Sequence, residues 1–213
     1  MEYGIKINRK DDVVAVERTT KESIITVQIQ ERRNANPVLN VRTGINFLNH
    51  MIETLAFRSE FNMDADVRTE INFLKHVVAE DTGIVIGTAF FKIFEEKIQK
   101  GIRGNGFFSA VIDESQAMVS VSVEGRPNLY FDKISNGLRF DDVEDIPSAD
   151  LKNFLSGFAL GMKATLHICS EFGEDPHHAW ESVFRALGEA IKEMFENDEK
   201  RKNLITGVKG TIE

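Results

Sequence analysis

The chain predicts an α+β fold made of two similar halves, on two kinds of hydrophobic periodicity and one repeated motif. Apolar residues alternate with period two in three stretches and recur every three or four residues in four others. Residues 22–30, 63–67 and 117–123 read as strands: each is rich in β-branched residues and bounded by polar or turn residues. Residues 44–57 read as a helix, with Ile45, Leu48, Ile52 and Leu55 on one face. Residues 79–98 repeat that pattern with Ile84, Phe91, Ile93, Phe94 and Ile98. Residues 151–163 and 177–195 supply two more helices, the last carrying Val183, Leu187, Ala190, Ile191 and Met194. Gly125-Arg126-Pro127 reads as a turn, and 141–145 as a solvated acidic loop.

The repeat orders these elements. His76 stands four residues before Glu80, and His177 four before Glu181. Each pair follows a strand-like stretch, itself preceded by an apolar helix containing Asn-Phe-Leu (46–48 and 153–155). The expectation is one globular unit of two duplicated half-domains, about 1–100 and 101–200, each strands–helix–strands–helix, with a tail at 201–213.

Composition narrows the function. The 213 residues are 42% hydrophobic and 28% charged, which excludes collagen-like, low-complexity and wholly disordered chains. No stretch approaches the ~18 apolar residues of a membrane span, and the first dozen residues lack the apolar core of a secretory signal. A single cysteine, Cys169, forbids an intrachain disulfide and fits a reducing cytoplasm. A net charge of −8 argues against nucleic acid as a partner. An anionic substrate would need local cations to hold it against that field.

The chemistry rests on histidine and glutamate. At a spacing of four, the side chains of His76 and Glu80, and of His177 and Glu181, stack on one helix face and can grip one cation. Imidazole with carboxylate suits Zn, Mn or Fe, and the lack of thiol ligands argues against a structural zinc site. A single pair of this kind is more often a surface hydrogen bond; two copies in a repeat favour a metal. Neighbouring helix residues point ~100° apart, so His177 and His178 serve different ions. Under the duplication His178 reaches the ion of His76 and Glu80, and its mate is Val77, which can bind nothing.

These residues resemble one family. Lys21-Glu22, the run from Thr43 to Met51, Glu80-Asp81 with Gly83 to Gly87, and Asp113-Glu114 are similar to imidazoleglycerol-phosphate dehydratase, as are Gly125-Arg126-Pro127, Thr165 to Ile168, His177 to Glu181, and Lys209-Gly210. The resemblance implies two half-domains, each a four-stranded sheet backed by two helices. It implies a homo-oligomer of twenty-four subunits with two manganese ions in active sites shared between subunits. The implied reaction is loss of water from a small phosphorylated imidazole, imidazole glycerol phosphate, giving imidazole acetol phosphate in histidine biosynthesis. One ion maps to His50, position 77, His177 and Glu181; the other to His76, Glu80, position 153 and His178. Val77 and Asn153 stand where the family has ligands, leaving three of four at each site. The catalytic carboxylates implied are Glu22, Glu80 and Glu181. Arg126, Arg185 and Lys209 map to substrate and phosphate contacts. Arg58 replaces a family histidine, Gly104 replaces a family arginine beside Arg103, and Leu74-Lys75 replace an acidic pair. Two other readings stay open: a diverged paralogue that keeps fold and assembly and binds an imidazole- or phosphate-bearing ligand, and a one-metal enzyme for another phosphorylated substrate.

The remaining residues read as structural. His167 is expected to be a satisfied strand histidine, Trp180 and the phenylalanines at 90, 91, 94, 107 and 108 to be core, and Cys169 a small buried hydrophobe. The glycine-rich stretch 101–106 lacks the helix and Lys-Ser/Thr of a P-loop, so it reads as a turn.

Overall fold

The computed structural model describes residues 2–69, 73–207 and 210–212. The first half runs β1 (Gly4–Lys10), β2 (Val13–Thr19), β3 (Ser23–Glu31), β4 (Leu39–Arg42), α1 (Asn46–Ser59), β5 (Phe61–Thr69) and α2 (Lys75–Ile98). The second runs β6 (Asn105–Ile112), β7 (Ser115–Val123), β8 (Asn128–Ile134), β9 (Asp142–Val143), β10 (Ile146–Pro147), α3 (Ser148–Met162), β11 (Ala164–Phe172) and α4 (Pro176–Met194).

The two main sheets repeat one topology. The first is ordered β1-β2-β3-β5-β4, the second β6-β7-β11-β8. In each, one edge strand lies parallel beside the strand that follows the half's first helix: β4 on β5, and β8 on β11. The first sheet exceeds the four-stranded expectation by β1, an added edge strand with all seven residues exposed.

Alternation puts one face of each sheet in the core. Ile25, Val27 and Ile29 of β3, and Ala117, Val119, Val121 and Val123 of β7, are buried at every second position. Each of the valines and isoleucines contributes roughly 1.5–3 kcal/mol on leaving water. Against these faces lie the four helices, α2 on β2 and β3, α4 on β6 and β7, with α2 packed on α3 and α1 on α4. The α2–α3 contact is backbone-close. A Cβ on Gly83 would meet the Phe154 carbonyl oxygen at 2.1 Å, and one on Gly157 the Glu80 carbonyl oxygen at 2.3 Å. An alanine at either would force the helices apart.

Trp180 and Phe90, Phe91 and Phe94 are core as expected, with the Trp180 indole donating to Ser148 Oγ at 3.2 Å. Two expectations need correction. Phe107 and Phe108 are 54% and 39% exposed, because β6 is an edge strand whose outer side has no cover. Residues 141–145 are not merely solvated: Asp142–Val143 pairs with Ile146–Pro147 in a small hairpin, and Asp145 caps a distant helix. No helix of the described residues is long and apolar enough to cross a membrane.

Candidate metal centre

Three elements meet at the start of α4. Asp175 is its N-cap, accepting hydrogen bonds from the His177 and His178 amides at 2.8 and 3.2 Å, and Pro176 fills the first turn, where no amide is needed. That cap fixes where His177, His178 and Glu181 fall on the helix. His50 comes from α1, whose approach is set by Thr43: its hydroxyl and amide both donate to Asn49 Oδ1, at 2.7 and 2.9 Å. Ile45 offers no side-chain cap to α1, and Asp145 replaces it, accepting from the Asn46 and Phe47 amides at 2.7 and 2.9 Å. Lys75 donates to the Asp145 carbonyl oxygen at 2.6 Å, so the same hairpin also ties down the start of α2.

His50, His177 and Glu181 converge, with one donor atom from each lying within 4.8 Å of the others. Glu181 Oε2 sits 3.1 Å from His50 Nε2 and 3.3 Å from His177 Nε2. Its other oxygen accepts from Arg185 Nε and Nη2 at 2.8 and 2.6 Å. Burial disfavours charge on Glu181, but the hydrogen bonds from His50 and Arg185 outweigh it and hold the pKa below its ordinary value. The carboxylate is therefore ionised and preset. Phe47 packs edge-on against the His177 ring at 5.0 Å, limiting its rotation. Two imidazoles and one carboxylate, with no thiol, are a donor set suited to Zn, Mn or Fe.

The other predicted ligands lie apart within one chain. His76 Nε2 is 3.4 Å from Glu80 Oε2, as the spacing of four requires, and Asn153 Nδ2 lies 2.8 Å from His76 Nδ1. Asp150 stands 3.7 Å from the same ring. His178 does not join them. Its Nδ1 faces Glu114 Oε2 at 2.9 Å and its Nε2 faces Asp113 Oδ2 at 3.5 Å. Among the described residues, only the His50 group brings three potential ligands together.

The predicted substrate cations divide similarly. Arg58 and Arg185 line, with Glu181, a cavity of about 300 Å³ beside the triad, and Arg58 also reaches Glu189 at 3.5 Å. Arg185 is thus both a carboxylate partner and a pocket wall. Arg126 is exposed in the β7–β8 turn, where Thr165 at the start of β11 donates to its carbonyl oxygen. The triad follows the other end of that nine-residue strand, ~26 Å away. Arg103 pairs with Glu193 and Glu196 near the C-terminal end of α4, ~18 Å along the helix from Glu181. Gly104 has φ 78°, and a Cβ there would meet the Thr206 methyl at 1.9 Å, so this backbone has no room for the family's arginine. Glu22 is exposed in the β2–β3 turn, its amide donating to Thr20 Oγ1 at 3.1 Å. Lys209 lies outside the described residues. His167 is satisfied by Asp132 at 3.2 Å and stacks on Tyr130, and Cys169 is half-buried.

Sequence reasoning saw Glu114 only as part of a family-matching stretch and Glu144 and Asp145 only as loop charges, and gave none of them a role. Glu114 was findable: it precedes Ser115 at the start of β7 as Glu22 precedes Ser23 at the start of β3, so the repeat makes it Glu22's mate. Glu144 and Asp145 carry no local signal, because their partners lie far along the chain.

The family model for imidazoleglycerol-phosphate dehydratase matches residues 43–191. A curated relative of that name from Acinetobacter baumannii is 34% identical over 92% of this chain and 94% of its own length. One from Caldicellulosiruptor bescii is 33% identical over 85% and 90%. The crystal structure of imidazoleglycerol-phosphate dehydratase from Staphylococcus aureus superposes with a TM-score of 0.74 at 26% identity, covering 87% of this chain and 99% of that one. That from Pyrococcus furiosus, in complex with (S)-C348, gives 0.73 at 29%, covering 91% and 98%. With its duplicated fold and preset His-Glu cluster, this chain belongs to the imidazoleglycerol-phosphate dehydratase family of hydro-lyases.

Proposed function

We propose that this protein removes water from imidazole glycerol phosphate in histidine biosynthesis, in the cytoplasm, with manganese as its metal. The observation that carries the reading is the convergence of His50, His177 and Glu181 beside a cavity walled by Arg58 and Arg185. A divalent ion bound there supplies Lewis acidity, which makes a proton on a carbon attached to imidazole easier to remove. Arg185 keeps Glu181 ionised and aimed. Arg58 and Arg185 hold the phosphate by charge-assisted hydrogen bonds. Glu22, solvent-facing, moves the proton.

Glu22, Arg126, Arg103 and Lys209 act on a neighbouring copy, and His76, Glu80 and His178 complete a second ion site only between copies. The support is that Arg103 and Arg126 lie at the far ends of α4 and β11 from the triad within one chain, ~18 Å along the helix and ~26 Å along the strand. The assembly that fits is the family's twenty-four subunits.

The test is product formation by purified protein with excess Mn²⁺ between about pH 6 and 9, with bound metal counted per subunit. Two ions and turnover are expected; no product at any pH overturns the reading. Asn153 against His76 Nδ1, where the family has a ligand, favours a one-ion enzyme as the second reading. One tightly bound ion per assembled subunit would select it. No ion at all would select the diverged, non-catalytic paralogue.

A further inference from the structure

The adjacent histidines of α4 are each gripped from behind by a different carboxylate. His177 Nδ1 faces Glu144 Oε1 at 3.2 Å, and His178 Nδ1 faces Glu114 Oε2 at 2.9 Å. A carboxylate only accepts, so in each of these hydrogen bonds the ring donates Nδ1–H; Nε2 is left with a longer carboxylate contact, Glu181 Oε2 at 3.3 Å for His177 and Asp113 Oδ2 at 3.5 Å for His178. For His177 that nitrogen points at Glu181 Oε2, inside the triad. Because the two rings diverge by ~100° around the helix, one support could not serve both. Glu144 comes from the β9–β10 hairpin and Glu114 from the β6–β7 turn.

Both supports are themselves fixed. Glu144 holds a left-handed backbone, φ 49°, in a hairpin that Asp145 anchors to α1. Glu114 accepts from the Glu174 and Asp175 amides at 3.2 and 3.1 Å and from Ser115 Oγ at 3.0 Å. We propose that Glu144 and Glu114 are positioning residues that set the tautomer and aim of His177 and His178, so that each offers Nε2 to a divalent cation. This rests on the metal reading above.

Cobalt(II), whose absorption reports its ligands, serves as the probe on the intact assembled protein. Glu144→Ala should weaken cobalt binding at the triad by about 10–100-fold, and Glu144→Gln, which still accepts a hydrogen bond, should recover most of the loss. Glu114→Gln keeps its carbonyl oxygen on the Glu174 and Asp175 amides and so turns its NH2, a donor, toward His178 Nδ1, which Glu144→Gln, with no amides to hold, does not have to do. It should weaken the second class of bound ion and leave the first unchanged. Asp132→Asn is the control, since Asp132 grips at the same 3.2 Å a histidine, His167, that is none of the proposed ligands; it should change nothing. Equal binding by Glu144→Ala and the unaltered protein overturns the assignment of Glu144. Equal losses at both ion classes with Glu114→Gln, as a folding defect gives, overturn that of Glu114. Unaltered protein that takes up no cobalt overturns the metal reading and this inference together.

Discussion

The two motif-bearing helices hold equivalent places in the repeated architecture, and they differ in how much of a site each can build alone. α4 starts on an aspartate cap and a proline, whereas α2 starts at Leu74, with no side-chain cap. Glu181 keeps 9% of its side-chain surface and is held by Arg185 and two imidazoles; Glu80 keeps 45% and meets His76 alone. In the second half Glu114 supports His178. In the first, Glu22 has the equivalent strand-start position and Val77 the equivalent helix position, and valine gives a carboxylate nothing to hold. The repeat therefore supplies two frames. Burial and capping turned one into a preset cluster and left the other incomplete within the chain.

That difference is broken most directly at the two glutamates. Glu181→Gln should lower Mn²⁺ affinity by more than about 100-fold, beyond what loss of an outer support costs, because it removes the charge both imidazoles share. Glu80→Gln should cost less than tenfold at the tight site. Isothermal titration of the assembled protein separates the two, and equal losses would show that the halves contribute alike. A smaller effect sharpens the comparison from the other side. The double substitution Val77→His with Asn153→His restores the family's ligands to the weaker frame and should tighten binding by about tenfold, counted as retained manganese after dialysis. No gain would mean that position 77 does not approach a metal in the assembly.

What the sequence made legible follows the range of the interactions involved. Three strands (β3, β5 and β7), the four helices and the spacing-of-four pairs were readable because period two, period 3.6 and i,i+4 contacts are local, whereas β1, β2, β4, β6 and β8 went unread. The reading began α4 one residue late, at His177, where the structure starts it at Pro176 behind the Asp175 cap. Phe107 and Phe108 were misassigned because composition cannot say which strand becomes an edge. His50 joined the triad through resemblance alone, since its partners lie 131 positions away in Glu181 and its own helix offers no motif. The acidic hairpin was the larger loss. Its charges suggested solvent, while the fold uses Glu144 on His177 and Asp145 on α1, contacts that only the packing of α1, α2 and α4 creates.

Asp145 yields the smallest effect and the one with a defined pH signature. Burial favours its neutral form, but the amides of Phe47 and Asn46 and the charge of Lys75 prevail and hold its pKa below the ordinary carboxylate value. A group whose folded pKa is depressed stabilises the fold above its unfolded pKa and loses that contribution as pH falls through the folded value. Asp145 should thus act in full above about pH 5 and fade below about pH 4. Asp145→Asn keeps one acceptor for the α1 amides but loses the charge, so at pH 7 it should cost about 1 kcal/mol. Urea titrations of both proteins from pH 7 downward should show that gap closing as the acid protonates. A gap that stays constant to the lowest pH at which both still fold would mean Asp145 holds α1 by shape alone, and the charged link between the two helix starts would be broken.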